Sequence, residues 1–241
     1  MSTLFISDLH LETDRPDIGD QFFAFLENDA KDADALYILG DLFDAWVGDD
    51  DPNPHFADVK SALGNLVAGG VPVYFMHGNR DFMVGDDFAA ETGVTILPDP
   101  VAVDLYGSHV LLSHGDALCT DDFEYQKIRV MTRNPDWQAM MRQKPLEERL
   151  LLAKAAREES KARGQTLDMD IMDVNQDAVK RTILDYGVDI LLHGHTHRPD
   201  IHFVELGDRV AKRIVLGDWY DQGSVLSWDE HGPVLNSLPR D

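Results

Sequence analysis

The chain has 241 residues, enough to bury a substantial core and close to the size at which one domain carrying an insertion is expected rather than two. Its 44 Asp and Glu against 21 Lys and Arg give a net charge of −23, which argues against a generic nucleic-acid binder and suits a salt-adapted host. A single cysteine, Cys119, excludes a disulfide framework and a cysteine-ligated zinc site, and with neither a basic leader nor an apolar run of ~20 residues the expectation is a cytoplasmic chain, soluble or peripheral.

The first predicted strand, about Thr3 to Ser7, delivers Asp8 and His10 two residues apart, side by side if the backbone stays extended. A helix near Asp20 follows, with Ile18, Phe22, Phe25 and Leu26 on one face. The run Ala35 to Leu39 reads as a buried parallel strand stopped by Gly40, with Asp41 just past its carboxyl end, where open α/β sheets bind ligands. The Asp49-Asp50-Asp51 run behind it reads as a solvated loop. A second helix places Val59, Leu63, Leu66 and Val67 on one face and stops at Gly69-Gly70. The strand Val73 to Met76 then leads into His77-Gly78-Asn79-Arg80-Asp81. Strand and helix in alternation predict a sheet covered on both faces.

From Val101 two apolar runs around Gly107-Ser108 predict a hairpin ending in His114. Composition then shifts. Between Glu124 and Arg163 ten basic residues face six acidic ones, a net +4, whereas the remaining chain, with 11 basic and 38 acidic, stands at −27. Tyr125, Ile128, Trp137, Met140, Met141, Leu146, Leu150, Leu151 and Leu152 give this segment more apolar surface than small helices usually bury, so a helical insertion with its own binding surface is expected at about 121–170 of one 1–241 domain. A helix from about Asn175 to Tyr186, with Val179, Ile183 and Tyr186 on one face and Gly187 at its end, resumes the βα order. The strand Asp189 to Leu192 follows, leading into His193-Gly194-His195-Thr196-His197. The alternating remainder is expected to close a second sheet into a sandwich.

Asp8, His10, Asp41, Asn79, His114, His195 and His197 offer oxygen and nitrogen donors and no sulfur, a set suited to manganese, iron or zinc. Seven ligands exceed the needs of one ion. Two ions ~3.5–4 Å apart and sharing Asp41 would use them fully. His109, His202 and His231 read as surface residues and Cys119 as a small core residue.

The set DLH, GDLFDAW, GNRD, SHGD and GHTH resembles the calcineurin-like metallophosphoesterase superfamily, whose pattern is D-x-H, G-D, G-N-[HR]-[DE], H and G-H-x-H. Along nearly the whole chain, FDAWVGDDDPNP, FMHGNRDF, HGDALCTDD, IMDVNQDAV and HGHTHRP are similar to its pyrophosphatases of lipid A biosynthesis. The resemblance implies an α/β sandwich of two mixed sheets flanked by helices, with a helical lid. It also implies cleavage of a UDP-linked diacylated glucosamine to UMP and lipid X on the cytoplasmic face of a Gram-negative inner membrane, with two Mn²⁺ per chain and a metal-activated water attacking the uridine-side phosphorus. Asp8, His10, Asp41 and His197 would hold one ion, and Asp41, Asn79, His114 and His195 the other. Asp41, Asn79, Arg80 and His195 would serve catalysis, and Asn79, Arg80, Asp122, Ser160 and His195 would contact substrate. Arg80 stands where many members carry His, and a guanidinium neutralises phosphate charge rather than donating a proton. Two further family contacts fall on Gly164 and Leu167, which cannot reproduce them. A nucleotide phosphodiesterase for soluble substrates and a non-catalytic interaction module are the competing readings; the apolar insertion argues against the first and the complete ligand set against the second. Neither nucleic acid nor an obligate protein partner is expected.

Overall fold

The computed structural model describes residues 1–164 and 173–240. In chain order, β1 (Thr3–Ile6), α1 (Pro16–Asn28), β2 (Ala35–Ile38), α2 (Pro54–Ala68), β3 (Val73–Met76), α3 (Asp86–Thr92) and β4 (Thr95–Leu97) form a βα run, and β1 to β4 pair in parallel. The hairpin β5 (Val101–Leu105) and β6 (Ser108–Ser113) comes next, then α4 (Phe123–Thr132), α5 (Pro135–Arg142) and α6 (Leu146–Gly164). The chain closes with α7 (Gln176–Tyr186), β7 (Ile190–His193), β8 (Asp200–Glu205), β9 (Val210–Val215), β10 (Gly223–Asp229) and β11 (Gly232–Leu238). One sheet runs β11-β10-β1-β2-β3-β4 and the other β5-β6-β7-β9-β8, each mixing parallel and antiparallel pairs.

Phe5, Leu39, Met76, Leu112, Leu192, Ile214 and Trp228, drawn from both sheets, interleave as the layer between them. Register stacks Phe5 on Tyr37 (ring centroids 4.9 Å apart) and Tyr37 on Tyr74 (4.5 Å) across β1, β2 and β3, the cross-strand aromatic contact that stabilises a pleated surface. The outer face of the first sheet is covered by α1, α2 and α3 through Phe22, Phe25, Val59, Leu63 and Phe88, and that of the second by Val179 and Ile183 of α7. Tyr186, expected on the buried face of α7, is exposed, because the left-handed Gly187 (φ 63°) ends the helix there.

Two sequence expectations change. The terminal alternating strands do not all close the second sheet: β8 and β9 do, whereas β10 pairs antiparallel with β1 and β11 extends that edge. Alternation marks a half-buried strand and says nothing of which sheet it joins. Helix α3 and strand β4 were not foreseen, being seven and three residues long, too short for periodicity to register.

The insertion docks by charge. Asp122 and Asn134 cap α4 and α5, and neither helix has a fully buried residue. Arg129 and Arg133 reach Asp116, Arg149 grips Asp50, Arg157 pairs with Asp44 and Glu12, and Arg163 pairs with Asp122. Arg129, Arg133, Arg149 and Arg157 thus tie the basic segment to the acidic body, alongside Trp137 and Met141, which pack against the core under α1–α3. The Asp49-Asp50-Asp51 loop, expected to be solvated, is structural. Asp49 accepts from Trp46 Nε1 and from the backbone N–H groups of Gly85 and Phe88, and Asp50 holds the buried Arg149 guanidinium.

Candidate active site

Every expected ligand sits just past the carboxyl end of a strand: Asp8 and His10 after β1, Asp41 after β2, Asn79 after β3, His114 after β6, His195 and His197 after β7. Asp8 and His10 are not reached by extended backbone, as the sequence suggested. Asp8, His10, Asp41, His195 and His197 all adopt left-handed conformations, with φ of 58°, 53°, 53°, 68° and 55°. Such residues cost on the order of 1–3 kcal/mol each and persist only where the surroundings over-determine them. Here the loops after β1 and β2 are laced together: Asp8 N donates to Gly40 O (3.1 Å), His10 N to Asp41 O (3.0 Å) and Leu11 N to Leu42 O (2.9 Å).

The side chains converge as two clusters, Asp8 with His10 and His197, and Asp41 with His114 and His195, the donor atoms of each lying within 4.8 Å of one another. Asp41 spans them, with Oδ2 3.9 Å from His10 Nε2 and Oδ1 3.8 Å from His114 Nε2. Asn79 Oδ1 is 3.0 Å from His114 Nε2, which adds it to the second cluster. The two Nε2 atoms of His10 and His197 face each other at 3.3 Å, and Asp8 Oδ1, 3.4 Å from His197 Nε2, is buried with no hydrogen bond. Converging, under-satisfied oxygen and nitrogen donors without sulfur fit two hard or borderline divalent cations sharing the Asp41 carboxylate.

A supporting layer fixes these donors. Asp8 Oδ2 accepts from Ser7 Oγ (2.5 Å) and His195 N (2.9 Å); His114 Nδ1 donates to Leu39 O (2.9 Å); His197 Nδ1 lies 3.3 Å from Asp218 Oδ2. Tyr220 stacks flat on His10, ring centroids 5.4 Å apart. Asp81, fully buried, gathers the backbone N–H groups of Asp41, Leu42, Phe43 and Gly78. The backbone approaches closely enough that Gly78 is obligatory: a Cβ there would stand 2.1 Å from Asp41 Oδ1. Sequence reasoning missed Asp81, Asp116, Asp218 and Tyr220 as supports. Only the first two carried a signal, as the acidic members of GNRD and SHGD.

Burial weighs against charge on all these groups. It pushes His10 down to about 3 and His195 to about 4, and drives Asp41 up to about 7 with Asp81 and Asp8 adding to the rise. Against the same burial, Asp41, Asp116 and Asp8 lift His114 to about 9, and Asp8 and Asp218 lift His197 to about 10. Burial would also raise Asp8, yet neighbouring His197 holds it below the usual carboxylate range. Without metal, His114 and His197 are thus the imidazoles whose neighbours favour the protonated form, while burial keeps His10 and His195 neutral.

A cavity of about 750 Å³ opens from Asn79, His195 and His197 and runs beneath the inserted helices. Arg80, next to Asn79, lines it together with Asp122 and Ser160, and Trp46, Phe82, Ile128, Met131, Trp137 and Leu152 form an apolar wall. Arg80 makes no ion pair among the described residues. Asp122 has a structural duty too, accepting from Tyr125 N (2.9 Å) as the cap of α4. Leu150 and Leu151, expected to serve binding, are exposed and do not line the cavity, and Leu167 lies outside the described residues. Cys119 is buried as expected, and burial pushes its thiol up to about 12. His109 and His231 are exposed, His202 half-buried.

The model of the calcineurin-like phosphoesterase family matches residues 1–199. UDP-2,3-diacylglucosamine hydrolases of Stenotrophomonas maltophilia strains R551-3 and K279a are 51% and 52% identical, each alignment covering 100% of both chains. The protein of the same name from Xanthomonas oryzae pv. oryzae PXO99A is 51% identical over 99% of both. An archaeal phosphodiesterase of solved structure shares the fold, with a TM-score of 0.51 at 14% identity, covering 99% of this chain and 100% of its own. With its two donor clusters at the strand ends and relatives aligned from end to end, this chain belongs to the calcineurin-like phosphoesterase family, and within it to that of these hydrolases.

Proposed function

We propose that this protein hydrolyses UDP-2,3-diacylglucosamine to UMP and 2,3-diacylglucosamine 1-phosphate, lipid X, in lipid A biosynthesis. The observation that carries the reading is the single cavity joining both donor clusters to an apolar wall from the insertion. A soluble nucleotide needs only its polar end. Two acyl chains need the rest, since each buried CH₂ contributes ~0.8 kcal/mol.

Asp8, His10, Asp41 and His197 would hold one ion and Asp41, Asn79, His114 and His195 the other; we infer two Mn²⁺. When bound, such a pair polarises phosphoryl oxygens and supplies a nucleophile from water at neutral pH. The chain's own residues do the positioning. Arg80, at the cavity beside the ligands, offers a planar fork of donors to the diphosphate and stabilises charge that grows as the bond breaks. It supplies no proton, and none is required, because the departing sugar phosphate is stable as an anion. Asn79 and His195 meet the substrate where they meet the metals, and Asp122 and Ser160 hold the sugar side. With the acyl chains under the insertion, the uridine-side phosphorus lies over the donors. Water's oxygen joins UMP, and the bond from that phosphorus to the lipid phosphate's bridging oxygen breaks.

In this reading the three inserted helices act as a lid on one phosphoesterase unit, which works peripherally on the cytoplasmic face of a Gram-negative inner membrane. Phe123, Val130 and Leu151, each about 70% exposed, support a surface that meets lipid. Assay in ¹⁸O-labelled water with the diacylated and the deacylated UDP-sugar tests the scheme. Strong preference for the diacylated compound and label in UMP are expected; equal turnover of both compounds would refute the substrate, and label in the lipid phosphate would refute the direction of attack.

A further inference from the structure

Helix α4 belongs to the insertion and walls the apolar cavity, yet it also touches the parts that hold the second donor cluster. Tyr125 stacks on the His195 imidazole, ring centroids 5.9 Å apart and 27° from parallel, while its hydroxyl donates to Asp116 Oδ2 at 2.6 Å. Arg129 donates from Nε to the same Asp116 oxygen (3.0 Å) and from a terminal nitrogen to Asp99 Oδ2 (3.2 Å). Asp99 in turn accepts from His114 N (3.2 Å) and Ser113 Oγ (2.8 Å), and Asp116 is two residues beyond His114. Arg133, capping the end of α4, donates to His77 O (3.2 Å) and Gly78 O (3.0 Å), immediately before Asn79. One helix thus bears on the peptide or ring of His195, His114 and Asn79. The Asp8/His10/His197 cluster is supported by Ser7, Asp218 and Tyr220, from other elements, and meets this set only through the His195 backbone N–H on Asp8, which neither the Tyr125 ring nor Arg129 contacts.

We propose that Tyr125 and Arg129 are positioning residues selective for the Asn79/His114/His195 metal site, so that the insertion holds one of the two ions in place as well as sheltering the lipid. Outer partners of this kind orient ligands, and their removal typically weakens a metal site ten- to a hundredfold. Asp116 is wholly buried, so removing Arg129 takes away one of the two donors to its Oδ2 and leaves only the Tyr125 hydroxyl bonded there and Arg133 at 3.7 Å, and Tyr125→Phe, which keeps the ring and loses only the hydroxyl, guards against misfolding.

The inference rests on the two-ion reading, and Mn²⁺ titration of EDTA-stripped full-length protein, followed by EPR of the free ion, separates the two. Wild type taking up fewer than two ions would overturn both. In a His197→Ala background, where the Asn79/His114/His195 site remains, adding Arg129→Met should weaken the remaining ion about ten- to a hundredfold and Tyr125→Phe by a smaller factor. In an Asn79→Ala background, where the Asp8/His10/His197 site remains, neither should move affinity beyond about threefold. Equal losses in the two backgrounds, or no loss in the first, would overturn the proposal while leaving the two-ion reading standing.

Discussion

Replacing Gly78 by Ala puts one methyl group against the carboxylate that spans the two clusters. Its Cβ would lie 2.1 Å from Asp41 Oδ1 and 2.2 Å from Asp41 N, against an ordinary contact of at least 3.4 Å, so the loop and carboxylate must part by more than an ångström. The carboxylate cannot simply rotate aside, because Oδ1 also accepts Arg80 N at 2.8 Å and the backbone there is tied to Asp81. Overpacking of this kind costs about 1–3 kcal/mol, and an ångström of misplacement at a reacting centre costs on the order of a hundredfold in rate. The expected phenotype is a folded protein with a lower melting temperature, fewer than two Mn²⁺ bound after dialysis, and kcat down about a hundredfold. Gly64→Ala is the control: its Cβ would meet nothing closer than 3.8 Å inside α2, and it should stabilise by about 0.5–1 kcal/mol. Two ions bound and turnover within threefold of wild type in Gly78→Ala would refute the argument that the backbone seats Asp41.

Leu152→Asp places a charge on the apolar wall at a half-exposed position, so KM for the diacylated substrate should rise about ten- to a hundredfold, the 1.5–3 kcal/mol of one buried leucine, while slow cleavage of a small phosphodiester is unchanged. Equal losses on both substrates would make Leu152 a packing residue. Metal uptake should release protons, because His114 and His197 are raised to about 9 and about 10 without metal and a ligating imidazole nitrogen must be free. Both shifts are upward, so the protonated form dominates below the ordinary imidazole range and through neutrality. Mn²⁺ affinity should then climb from pH 6.5 towards about pH 9, and calorimetry in buffers of different ionisation enthalpy should count the protons released. An affinity flat across that window would contradict the raised values.

The seven donors were legible because chemistry at strand ends is local: a short apolar run, then Asp, Asn or His, with glycine where the chain must turn. What holds them was not legible. Asp218 meets His197, and Tyr220 meets His10, across more than twenty and two hundred residues respectively, and nothing near Asp218 or Tyr220 marks the encounter. The charge contrast of the insertion was visible, but not that Arg149 and Arg157 would pair with Asp50 and Asp44 of the body. Ion pairing between distant segments depends on which surfaces meet, and composition reports only that both signs exist. The β10 and β11 strands were recognisable as strands, while their sheet was decided by the edge that β1 left open.

The left-handed backbone at Asp8, His10, Asp41, His195 and His197 has an evolutionary corollary. At each of these positions glycine would adopt the same conformation without the clash that a Cβ brings. A lineage freed from selection for hydrolysis could therefore lose its ligands one at a time while its fold was relieved of strain, and drift would run downhill towards an inert sandwich. This chain carries Asp or His rather than glycine at all five positions, so it bears the strain where its chemistry needs the side chains and not where the fold does.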